Sequence, residues 1–196
     1  PGGTLKTYTI REEYVYDHAS RLRFTRHKIN TNNWVVTSAP VYDEPGRLAD
    51  KRLHASNYDG TSAVTLSSNF NYLQSLDYTY NIRGWLTGIN DIASCVIQDG
   101  DQVIDIYKMQ LSYDAPVGGG TAQYNGNIAT MQWRTYVNST CLPQQQYRFA
   151  YDAANRLTGA DHYTNSSGSW TFTNNYTESN INYDLNGTSN PTPGVA

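Results

Sequence analysis

Four histidines, scattered carboxylates, two cysteines and a surplus of aromatic rings are the side chains here with chemistry to offer. No pair among His18, His27, His54 and His162 has the spacing of a helical zinc motif. Glu12-Glu13 and the run holding Asp99, Asp101 and Asp105 supply neighbouring carboxylates. With partners from distant strands such groups could serve as a glycosidase pair, whose carboxyls stand about 5 to 9.5 Å apart. Acidic residues on the wet faces of strands account for them more simply, so no catalytic residue is assigned and the chain is read as a non-enzyme. Asp17, Asp43, Asp152 and Asp184 recur in similar contexts, but each context offers one carboxylate where calcium takes about six to eight oxygens. Turn capping is the better reading, and no metal or cofactor is expected. Gly118-Gly119-Gly120 lacks the Lys-Ser or Lys-Thr of a phosphate loop.

The rings are the other chemical resource. Seventeen Tyr and four Trp stand against four Phe and two Met. Such amphipathic rings stack on sugars or fill a sheet core. Tyr8, Trp34, Tyr58, Tyr107 and Tyr136 are the candidates for stacking on a glycan or protein ligand; core filling is the more ordinary role. Cys95 and Cys141, far apart in sequence, are either two thiols or one disulfide. The net charge is −3 with 14 Lys plus Arg, and no cluster could neutralise a run of phosphates, so nucleic acid is not expected. Nor is a membrane span, which needs roughly 20 apolar residues in a row.

What must position these side chains is a repeated phrase. It reads Tyr16-Asp17-His-Ala-Ser20-Arg21-Leu22, then Tyr42-Asp43-Glu-Pro-Gly46-Arg47-Leu48, Tyr80-Asn81-Ile-Arg-Gly84-Trp85-Leu86 and Tyr151-Asp152-Ala-Ala-Asn155-Arg156-Leu157. Weaker copies are Tyr124-Asn125-Gly-Asn-Ile128 and Tyr183-Asp184-Leu-Asn-Gly187. The tyrosines are 26, 38, 44, 27 and 32 residues apart, so insertions fall between units and the phrase itself is kept. Its chemistry is that of a hairpin turn: Tyr ends a strand, Asp or Asn caps the turn, and Gly or Asn takes the position that needs φ > 0. The incoming arms alternate, with Tyr147, Phe149 and Tyr151 opposing Gln146 and Arg148, and Met109, Leu111 and Tyr113 opposing Gln110 and Ser112. This pattern predicts apolar rings inside and polar side chains in water. No segment has a helical period. Asn57 to Ser62, Asp114 to Gln123 and Tyr163 to Ser169 are expected to be hairpin tips or lengthened connections.

Tyr-Asp-x-x-Gly-Arg-Leu, recurring in an aromatic-rich β chain, resembles the signature of the YD-repeat (Rhs) family. YNIRGWLTG at residues 80–88 and YNGNIATMQW at 124–133 look like the Rhs-type surface proteins of Bacteroidetes. The resemblance runs from residue 8 to 187. It implies an all-β fold of antiparallel hairpin repeats joined edge to edge into a curved or spiralling sheet, a partial shell. The repeat domain is expected over 1–187, and the Pro and Gly content of 188–196 points to a flexible tail or linker. The implied role is a scaffold segment of a larger bacterial surface or secreted protein that encloses or displays a cargo domain. Its partners would be the rest of that protein, its cargo, or copies of the same chain paired edge to edge. The family's self-cleavage motif, of D-P-x-G-L type, is absent; Asp43-Glu44-Pro45-Gly46-Arg47-Leu48 is an ordinary turn phrase.

Overall fold

A computed structural model of the chain describes residues 6–55, 71–94 and 105–191. Among these residues every regular element is a strand, every sheet is antiparallel and none closes into a barrel. Among the described residues no helix is long and apolar enough to cross a membrane. The chain clusters into two compact units, residues 1–78 with 96–105 and residues 79–95 with 106–196.

In the first unit, β1 (Ile10–Tyr16), β2 (Leu22–Ile29), β3 (Val35–Tyr42), β4 (Leu48–Ala55) and β5 (Tyr72–Gln74) pair in chain order. Beyond β5 the chain still follows β4, because Lys51 and Leu76 exchange main-chain hydrogen bonds of 2.9 and 3.1 Å. Val15 lies opposite Phe24 across the strands, and Phe24, Val36, Ala39 and Ala55 form one buried cluster, with Val15, Trp34 and Tyr72 packed against it; a register shift between β2 and β3 lets Val36 and Ala39, three residues apart on β3, both join it. Burying a ring such as Phe24 stabilises by roughly 1.5–3 kcal/mol. One carboxylate enters this interior. Asp50 accepts from Ser75 Oγ and from Arg52 Nε, each at 2.6 Å, so the buried charge is both hydrogen-bonded and paired.

The second unit holds β6 (Tyr78–Tyr80), β7 (Leu86–Ile89), β8 (Tyr107–Ser112), β9 (Thr130–Val137), β10 (Thr140–Cys141), β11 (Gln145–Tyr151), β12 (Leu157–Ser166) and β13 (Ser169–Glu178). Their order is β13-β12-β11-β9-β8-β7-β6, with β10 paired beside β9. Two short strands, β14 (Ile181–Tyr183) and β15 (Ser189–Pro191), form a separate ribbon. Ser189–Pro191 falls in the stretch expected to be a tail, of which residues 192–196 lie outside the described residues.

This unit departs from the alternation expected of it. Gln110, Gln132, Gln146 and Tyr163 form one row across four strands, and Ser112, Thr130 and Arg148 form the next. Of these, Gln110, Ser112, Gln146 and Arg148 are positions that alternation puts in water, yet Gln146 is 0% exposed, and its neighbours Thr130 and Gln132 are 0% and 3% exposed. The cause is the β8–β9 connection, residues 113–129, which folds back over them. Val117 O accepts from the side-chain amides of both Gln132 and Gln146 at 2.7 Å. The glycine run lies so close that a Cβ at Gly118 would stand 2.5 Å from Trp170 Nε1, at Gly119 2.8 Å from Arg148 Cζ, and at Gly120 2.7 Å from Thr130 Cγ2. Buried amides are tolerable because the loop's own carbonyls replace water as their acceptors.

Cys141 is disulfide-bonded, and Cys95, the other cysteine of the sequence, lies outside the described residues.

Candidate functional site

Each full phrase builds the same small device. Asp17 Oδ1 accepts from the main-chain N–H groups of Ala19 and Arg21 at 2.8 and 2.9 Å, while its Oδ2 takes Arg21 Nε at 2.8 Å. The backbone closes through Asp17 N to Arg21 O and Ser20 N to Asp17 O, 2.9 and 3.0 Å. Asp43 holds Arg47, and Asp152 holds Arg156, through the same side-chain contacts. Asn81 keeps the turn, accepting from Arg83 N and Trp85 N at 3.0 Å each. Asp184 does likewise with Asn186 N and Thr188 N. The fifth position has positive φ throughout: 60° at Ser20, 89° at Gly46, 79° at Gly84, 62° at Asn155 and 79° at Gly187. The first amide donors and then the guanidinium hold Asp17 and Asp152 below the usual carboxylate range; at Asp43 partial desolvation pushes upward and Arg47 outweighs it. Both carboxylate oxygens in these turns are thereby engaged.

Tyr124-Asn125 is a different object. It lies inside the long connection between the paired strands β8 and β9 and makes no tight turn between them, and its positive φ, 99°, is at Gly126, one step after the Asn. The phrase is two residues short of the full spacing, so the five-residue closure has no room. Asn125 Oδ1 still accepts from Asn127 N at 3.0 Å.

The sixth and seventh positions of the phrase act on the next one along the chain. The Arg21 guanidinium lies 5.1 Å from the Tyr42 ring centroid, and that of Arg156 4.6 Å from Tyr183. Where Trp85 replaces the Arg, its ring packs on Tyr113 at 5.1 Å. The following tyrosine also reaches a carbonyl: Tyr113 OH donates to Leu86 O at 2.8 Å, Tyr151 OH to Ile128 O at 2.9 Å, and Tyr183 OH to Leu157 O at 2.7 Å. In these copies Asp turns the chain and orients Arg; Arg21, Trp85 and Arg156 cover a following Tyr; and Tyr113, Tyr151 and Tyr183 satisfy the carbonyl of a preceding Leu or Ile. Tyr113-Asp114 takes part although no Arg-Leu follows it, which is why its place in the series was missed.

A second constellation lies on the other face of the second unit's sheet. Trp133 and Tyr147 stack at 5.2 Å with 29° between their planes; His162 packs against both, at 5.8 and 5.3 Å, and Tyr176 meets His162 edge-on at 5.8 Å. With Gln145 these side chains line an open depression of about 480 Å³. His162 is 5% exposed, and burial holds its pKa below the ordinary histidine value. The sequence places Tyr147 and Trp133 on the alternating apolar face of strands and gives no reading of Tyr176. The signal that could have found them is Trp133, Tyr147 and His162 falling on three strands with matching parity.

The aromatics expected to bind ligand are dispersed. Tyr8 is exposed ahead of β1; Trp34 is packed on the first unit's core with Arg26 and Lys28 over its ring. Tyr107 begins β8, burial raising its pKa, and Tyr136 is half-buried in β9. Tyr58 lies outside the described residues, as do Asp99 and Asp101. Glu12 accepts from Tyr14 OH and Glu13 pairs with Arg26. Compared with protein-family models and with curated proteins, the chain matches none.

Proposed function

We propose that the chain is a structural repeat module of YD-repeat type, a strip of shell-forming sheet in a larger bacterial surface or secreted protein that encloses or displays another domain. The observation that carries this is the recurrent link from one phrase to the next, Arg21 to Tyr42, Trp85 to Tyr113 and Arg156 to Tyr183. A turn needs only its Asp and Gly. Residues that clasp the following turn serve a series of hairpins. The disulfide at Cys141 supports an oxidising, extracellular setting.

In a scaffold of this kind the sheet continues from one segment to the next by main-chain pairing. Strands β1 and β13 end their sheets in the described topology, and β1 exposes Ile10, Tyr14 and Tyr16. Such edges recruit further strands. Light scattering across a concentration series is expected to show association that Ile10→Lys abolishes by placing a charge on the β1 edge. A chain monomeric at every concentration, with Ile10→Lys indistinguishable from it, would count against the continued sheet and with it the scaffold reading.

A further inference from the structure

We propose that the cleft formed by Trp133, Gln145, Tyr147, His162 and Tyr176 binds a neutral pyranose, an activity independent of any scaffold role. The depression, about 480 Å³, falls within the range of small-molecule sites, roughly 300–1,000 Å³. Its chemistry is specific in three ways.

The first is the platform. Trp133 and Tyr147, tilted only 29° from one another, present a nearly continuous aromatic surface of the sort that receives the C–H face of a sugar ring.

The second is the set of polar groups at its rim. Tyr147 OH is already committed to Tyr176 O at 2.9 Å, but other groups are not. His162 Nδ1 and Thr173 Oγ1 share a hydrogen bond of 2.6 Å, which we assign with Nδ1–H donating because the Thr173 hydroxyl donates to Asn175 O at 3.4 Å; Nε2 of the neutral imidazole is then the acceptor for a ligand hydroxyl. Gln145 accepts from Thr164 Oγ1 at 2.7 Å and spends one amide hydrogen on Pro143 O at 3.3 Å, keeping the second for a ligand. Donor and acceptor thus flank an apolar floor, and no lining side chain carries a charge at neutral pH. A phosphate or carboxylate finds no counter-ion there, and a flat nucleobase finds no second parallel ring, since Tyr176 stands at 81° to His162.

The third is a strained wall. Ala160 pairs with Glu178 and His162 with Thr173, so five steps along β13 face two along β12. The excess forms a bulge braced by Thr177 Oγ1 donating to Thr173 O at 3.0 Å and by His162 N donating to Thr177 Oγ1 at 3.2 Å. Within it Tyr176 has φ of 62° and its side chain is 78% exposed. A bulky residue in the left-handed region destabilises the fold, and bulges that re-aim a side chain gather at binding sites. Neither core packing nor turn geometry requires a tyrosine at this position.

The test is calorimetric titration of the whole chain with a panel of neutral methyl pyranosides and their disaccharides, with a glucuronide and a sialoside as charged controls. At least one neutral sugar is expected to bind, and Tyr176→Gly should weaken it about tenfold while the melting temperature holds or rises, because glycine relieves the strained φ. Trp133→Phe, which retains a ring, should bind more weakly than the parent but better than Trp133→Leu. The proposal is overturned if no neutral sugar binds, if only the acidic ones do, or if Tyr176→Gly binds as the parent does.

Discussion

The two units are assembled with the same turn device yet bury opposite kinds of side chain. In the first, the apolar Phe24, Val36, Ala39 and Ala55 form one buried cluster. In the second, the most deeply buried positions include Thr130, Gln132 and Gln146, while Trp133, Tyr147 and Phe149 are only half-buried. In the second unit a 17-residue connection, residues 113–129, lies over the polar row, and its glycines and the Val117 carbonyl turn that face into an interior. The phrase dictates pairing, and the insertions between phrases decide which face is dry.

That contrast can be broken or sharpened by mutation, each variant being followed by urea unfolding with aromatic fluorescence and amide exchange as separate readouts. Phe24→Ala removes a fully buried ring and should cost about 3–5 kcal/mol, with the loss of protection centred on β2 and β3. Gly118→Ala and Gly46→Ala form an informative pair, because both positions have positive φ, 76° and 89°, but only Gly118 is closely covered. A Cβ at Gly46 meets nothing within 4 Å, so Gly46→Ala should cost about 1 kcal/mol of backbone strain. At Gly118 strain is joined by collision with Trp170, and about 3 kcal/mol is expected. Equal effects would mean that the loop does not seal the polar row. Gln146→Leu removes one of the two amides that donate to Val117 O and leaves Arg148 Nε without the Gln146 Oε1 acceptor it meets at 2.9 Å, and should cost about 1–2 kcal/mol. If it stabilised instead, the polar row would be a passive feature.

Acid should separate the units as well. The pKa of His162 is lowered by burial, so the unfolded chain takes up that proton first and stability falls as pH drops below about 6.5. The depressed carboxylates Asp17, Asp43 and Asp152 stabilise above their unfolded pKa, near 4, and that contribution is lost only as pH falls through their lower folded values. His162→Gln should flatten the first decline, seen in the second unit, and leave the second in both.

Much of this was legible in the sequence for a physical reason. Asp17, Asp43, Asn81, Asp152 and Asp184 bond to backbone within four residues of themselves, so their role is written locally. The clasp between phrases was not, because Arg156 and Tyr183 are 27 residues apart and nothing local ties them. The burial of Gln146 was hidden for a related reason. Alternation shows which residues share a face, but what covers that face depends on the path of a long loop. The aromatic cleft needed register across β9, β11, β12 and β13, and its strained wall at Tyr176 arises from a bulge that no residue type announces.

The central claim is that one phrase clasps the next, and a double-mutant cycle on Arg156 and Tyr183 tests it most directly. Arg156→Met and Tyr183→Leu each remove one partner of a contact 4.6 Å from guanidinium to ring. Unfolding of the two single variants and the double variant is expected to give a coupling of about 0.5–1 kcal/mol. Strictly additive effects would contradict it, leaving the arginine as a turn residue and nothing more.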